Sequence, residues 1–197
     1  MKKIISVTCF VMVAVVLSLV LIACSNFEVN QIEREFAKIS EVIEAFDFVA
    51  DKDFDEVSFE TSYAAQLSDV NTKRNELKVA QDSLVAKIDE LKQNIETVLE
   101  YSKEIKDDAE VNFYDSEKDT FLNQLDDIKK IEKKLKNSNG KVSKPVADLS
   151  DKYTSEYYLQ VISTYSQVND VLNDRVKDIE KLIAIANDMI DVFKKHI

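Results

Sequence analysis

Gly140 and Pro145 are the only glycine and the only proline in 197 residues. Sheet folds need turn residues at short, regular intervals, and Gly-rich phosphate loops need backbone that approaches a ligand closely. Neither can be built from this chain. What remains is rich in Ala, Leu, Glu, Lys, Gln and Ile, which favour helix. The chain therefore reads as all-α: an elongated antiparallel bundle of three to four helices, with long, coiled-coil-like members.

Apolar spacing places those helices. Ile32, Phe36, Ile39, Ile43 and Phe46 alternate four- and three-residue steps, predicting a helix from about Val29 to Val49. Asp51-Lys52-Asp53-Phe54-Asp55-Glu56 breaks it as a turn. A second helix is expected from near Ser58, with Tyr63, Val70, Leu77, Leu84, Leu91, Val98 and Ile105 recurring every seven residues as in a coiled-coil seam. Arg74 and Gln81 take two steps of the companion position, so burial there is thin or one-sided. Residues 107–118 hold either a tight hairpin, the preferred reading, or a register shift inside one long helix. Beyond them Tyr114, Phe121, Ile128 and Leu135 form a new seven-residue series, and Ser116-Glu117-Lys118-Asp119 resembles a helix start. Asn137-Ser138-Asn139-Gly140 stops that helix, and Lys144-Pro145 reinforces the stop. The last helix is expected from about Asp151 to Lys195. Its apolar stripe is three positions wide, more than one partner can cover.

The formal charge is −11. Such a chain is a poor match for nucleic acid, whose phosphates call for clustered Lys and Arg. It is equally poor for loose adhesion to anionic lipids or wall polymers, so an envelope contact must be specific or bridged by cations. The lone histidine, His196, stands one residue from the C-terminus, where a frayed end cannot hold a general base in place. It reads as a cation near a helix C-terminus. No Ser-His-Asp set and no ExxH pair of a di-iron bundle can be assembled. Asp51, Asp53 and Asp55 alternate as in a calcium loop, but Glu56 stands where that loop needs Gly and Ser62 where it needs Glu. The chain is read as non-enzymatic, with no catalytic residue, metal site or cofactor. Tyr153 and Tyr157 are the candidate partner contact, since exposed rings there would stack on a sugar. Core packing with the hydroxyls at the edge is the preferred reading: Tyr158 and Tyr165 fall on the seam, and Tyr153, Tyr157 and Val161 fit i, i+4, i+8.

Met1-Lys2-Lys3 precedes an almost wholly apolar run from Ile4 to Ile22, the pattern of a secretory signal. Leu21-Ile22-Ala23-Cys24 resembles the lipobox of bacterial lipoprotein precursors. That resemblance implies a diacylglyceryl group on the Cys24 thiol and cleavage between Ala23 and Cys24. Residues 1–23 are then a signal peptide, and 24–197 a helical extracytoplasmic domain held at the cell membrane by lipid. An uncleaved signal anchor and an ordinary signal with an incidental Cys24 are the competing readings. Cys9 would leave with the signal, so the mature chain would keep no free thiol and no disulfide. Lipobox plus helical ectodomain is similar in architecture to the cell-wall-binding lipoproteins of Gram-positive bacteria. The likeness implies a non-catalytic surface module that binds cell-wall polymer or an envelope or host protein, or that acts as a spacer. The alternative is an exclusion or immunity lipoprotein that blocks entry of phage or plasmid DNA. Oligomeric state and the presence of an outer membrane stay open.

Overall fold

The computed structural model describes residues 28–50, 53–54, 59–108 and 111–197. Among them the chain is an all-α bundle of α1 (28–44), α2 (Ala64–Asp107), α3 (Asp115–Ser138), the short α4 (Ser143–Ala147) and α5 (Tyr158–Phe193). A single 3-10 turn, Ser155–Tyr157, leads into α5. The expected seams are buried except at their first members, Tyr63 and Tyr114, which precede their helices and stay exposed. Val70, Leu77, Leu84, Leu91, Val98 and Ile105 of α2 share one core with Ile32, Phe36, Ile39 and Ile43 of α1. Phe121, Ile128 and Leu135 of α3 join it, as do Tyr165, Leu172, Ile179, Ala186 and Phe193 of α5.

Successive long helices reverse direction. Glu33 of α1 pairs with Lys106 near the end of α2 at 2.6 Å, and Val49, beyond α1, meets Gln81 in the middle of α2. Glu117 at the start of α3 reaches His196 past the end of α5, and Ser138 at the end of α3 reaches Arg175. α2 and α5 consequently run parallel and pack directly on each other. Asp69 meets Tyr158, Lys87 faces Glu180 and Asn94 meets Asn187 along that pair. α2 has 44 residues, so at 1.5 Å rise per residue it spans about 66 Å.

The break at 107–118 is a hairpin: α2 ends at Asp107 and α3 opens at Asp115. There the Glu117 carboxylate accepts the Tyr114 N–H at 2.9 Å, satisfying one of the unpaired donors of a helix start. α3 ends at the expected stop, where Gly140 takes a φ of +76° that a side chain would disfavour.

Three boundaries differ from expectation. α1 ends at residue 44, not 49, because Gln81 captures the Val49 backbone: its Oε1 accepts the Val49 N–H at 2.8 Å and its Nε2 donates to the Val49 carbonyl at 3.0 Å. The polar step in the seam is thus a buried partner for the non-helical segment after α1. α2 begins at Ala64, with the Thr61 hydroxyl accepting the Tyr63 N–H at 2.9 Å; Ser58 lies outside the described residues. α5 begins at Tyr158, not Asp151, because the chain before it is held extended against the approach to α2. Glu60 N–H donates to the Tyr153 carbonyl at 2.7 Å and Ser155 N–H to the Glu60 carbonyl at 3.2 Å. Among the described residues, no helix is long and apolar enough to cross a membrane.

Candidate functional site

Arg175 occupies a core position of α5, between Leu172 and Ile179, and is 1% exposed. A guanidinium there must have its donors filled. Its Nη2 donates to Asp47 Oδ1 at 2.7 Å and to the Ser138 carbonyl at 2.8 Å. Its Nη1 donates to the Asp47 carbonyl at 3.0 Å, and its Nε to Ser138 Oγ at 2.8 Å. The guanidinium also lies 4.4 Å from the centre of the Phe46 ring, close enough for a cation–π contact. Asp47 Oδ2 accepts in turn from Val142 N–H at 2.8 Å, Ser143 N–H at 2.9 Å and the Ser143 hydroxyl at 3.2 Å. Burial alone would raise the Asp47 carboxyl. The hydrogen bonds from Arg175, Ser143 and Val142, with the Arg175 charge, outweigh it and hold the pKa at about 2. One ion pair thus ties the chain after α1, the end of α3, the start of α4 and the middle of α5. With its donors so used, Arg175 has little left to offer a ligand.

Beside this node α3 and α5 border a surface groove of about 490 Å³ whose walls carry Lys134, Lys141, Lys177 and Lys181, with Asp174 and Asp178 between them. A second hollow of about 380 Å³ continues along the same helices, sharing Lys134 and Lys181 and adding Lys130 and Asp127. The lysines are exposed. The aspartates are bridged: Lys177 to Asp174 at 3.3 Å, Lys181 to Asp178 at 3.2 Å, and Lys134 to Asp178 at 4.0 Å. This groove is the candidate functional site. Its α3 wall belongs to a run of local positive charge: Lys129 to Lys144 holds seven lysines and a single acid, Glu132, within a chain of −11. The acidity is concentrated elsewhere. The signal for this site is a local charge run, which a whole-chain sum conceals.

The two tyrosines singled out by sequence are not brought together. Tyr153 is half-buried, and its hydroxyl accepts from that of Tyr165 at 3.3 Å. Burial pushes both phenols above their ordinary value, and the bond that Tyr165 donates raises it further. Tyr157 sits in the 3-10 turn and is 38% exposed. The i, i+4 register fails at Tyr153, which belongs to the extended segment. Tyr157, Tyr63, Leu67 and Leu159 are exposed around the end of the bundle where α2 and α5 begin.

His196 is tied down and not frayed. Its Nε2 lies 2.9 Å from a Glu117 carboxylate oxygen, and its ring meets Phe113 edge-on with centroids 5.0 Å apart. Ala23 and Cys24 lie outside the described residues, as do Asp51 and Asp55 of the acidic turn. Among the described residues no group of three or more His, Cys, Asp or Glu is placed to hold a metal ion. Comparison with protein-family models, curated proteins and solved structures finds no match to this chain.

Proposed function

We propose that the protein is a bacterial lipoprotein: a signal peptide over 1–23, lipid on Cys24, and a non-catalytic helical module on the extracytoplasmic face of the cell membrane that binds an envelope partner. The observation that carries this reading is the lipobox-like Leu21-Ile22-Ala23-Cys24, four residues before the first described helix at Glu28. Four residues of chain reach at most about 14 Å. A lipid on Cys24 therefore sets the bundle on the membrane by the end that gathers the start of α1, the α2–α3 hairpin and the end of α5. α2 then carries the opposite end about 66 Å outward. Two or more acyl chains make such a tether stable, since each buried methylene adds roughly 0.8 kcal/mol.

Fractionation of cells carrying the wild type or Cys24→Ser tests the anchor. The wild type is expected in the membrane fraction, freed by detergent and not by salt. The variant should lack lipid and either accumulate as the longer precursor or leave the membrane. Release of the wild type by salt alone, or membrane retention of Cys24→Ser at the wild-type size, overturns the lipid anchor.

A further inference from the structure

Among the described residues, the lysine groove is a charged surface that a lipid anchor leaves without a role. Its lysines exceed what α3 needs for its own stability. A cation in the last turn complements the helix dipole, which accounts for Lys136. Lys130 and Lys134, which line the groove, precede that turn, and Lys141 lies beyond the helix end at Ser138.

The arrangement has direction. Lys130 and Lys134 of α3 are one turn apart, as are Lys177 and Lys181 of α5, an axial step of about 6 Å in each case. These two rows border two adjoining hollows that share Lys134 and Lys181, with Lys141 at the end nearest Arg175. Asp127, Asp174 and Asp178 share the walls, and each is already bridged by a lysine. The exposed pairs at Asp127 and Asp174 are worth at most about 1 kcal/mol each, so a multiply charged ligand can displace them, while the buried Asp178 keeps Lys181 beside it. A single small anion would gain little here. An extended polyanion engages several lysines at once and releases counterions along its length.

We propose that the groove between α3 and α5 is a binding track for an extended phosphate-bearing polyanion of the cell envelope. This deepens the envelope-partner reading and rests on it for location. With the anchor at Cys24, the groove stands about 20–30 Å along α5 from the membrane end. That height sets it apart from the headgroups of the same bilayer and favours a polymer standing outside it.

The test is a titration of the full chain, purified in non-ionic detergent, with long-chain inorganic polyphosphate. Orthophosphate, phosphatidylglycerol vesicles and single-stranded DNA form the other arms. The variant Lys134→Gln/Lys141→Gln/Lys177→Gln/Lys181→Gln is compared with Lys73→Gln/Lys92→Gln/Lys103→Gln/Lys152→Gln, which removes the same charge away from the groove. Saturable binding of polyphosphate is expected, weakened roughly tenfold or more by the groove variant and by less than about twofold by the control. The salt dependence should flatten only in the groove variant. Equal losses in both variants would reduce the site to diffuse electrostatics. No binding at low salt, or vesicles or DNA bound as tightly as polyphosphate, also overturns the proposal. A chain that binds polyphosphate but carries no lipid keeps the groove and loses the anchor. A lipidated chain that does not bind loses the groove alone.

Discussion

Replacing Arg175 by methionine keeps an apolar stem in the core and deletes the guanidinium, so the perturbation falls on four hydrogen bonds more than on packing. The Asp47 side chain, 17% exposed, is left with Val142 and Ser143 as its donors. Breaking a fully buried pair from one side costs about 3–5 kcal/mol. The residual exposure of Asp47 and its backbone donors place this case near the lower bound, about 3 kcal/mol. In a chain of this size each kcal/mol lowers Tm by about 2–4 °C, so R175M should melt roughly 6–12 °C below the wild type by circular dichroism. Asp47→Asn adds a pH signature. The folded-state pKa of Asp47 lies at about 2 against 3.8, a depressed value. Its contribution is therefore complete above pH 3.8 and is lost as pH falls through about 2. The wild type should lose stability over that window, and D47N should lose less. A Tm for R175M within about 2 °C of wild type, with an unchanged acid limb in D47N, would refute the claim that this pair ties the helix ends together.

Gln81→Leu leaves the Val49 N–H and carbonyl without their partner, at a cost of about 1–3 kcal/mol. Urea unfolding should show the loss and hydrogen exchange should show faster exchange at Val49; unchanged protection there would contradict the role given to Gln81. Gly140→Ala meets no atom within 4 Å, so its cost is conformational alone, about 1 kcal/mol; a neutral or stabilising result by urea unfolding would contradict it. Tyr165 in the folded chain holds its proton above the ordinary value of 10.0, so its contribution is present below that pH and falls as pH climbs beyond it. The alkaline limb of thermal stability should be shallower in Tyr165→Phe than in the wild type, and parallel limbs would count against burial of the pair.

The bundle is legible wherever one helix face is apolar at a fixed period. Val70 to Ile105 and Phe121 to Leu135 lie buried where their seven-residue spacing places them. Asn137 to Gly140 stops α3 because the chain there supplies its only glycine. What escapes periodicity is pairing between remote segments. The partners of Arg175 lie at Asp47 and Ser138, and nothing local in any of the three stretches names the others. A cation at a stripe position between Leu172 and Ile179 does, however, demand a buried anion, and that demand is visible in the sequence. α1 and α5 are shorter than their apolar stripes suggest for a related reason. Phe46 and Val49 are buried beyond the end of α1, and Tyr153 is pinned by Glu60, so burial there does not imply helix. The lysine groove escapes notice because seven cations near Lys134 disappear into a total of −11.

Intact-mass measurement of the chain extracted from cell membranes tests the anchor most directly. The expected species begins at Cys24 and carries the mass of a diacylglyceryl group on its thiol. A membrane-extracted chain that still begins at Met1, or whose Cys24 thiol is free, contradicts the lipoprotein reading.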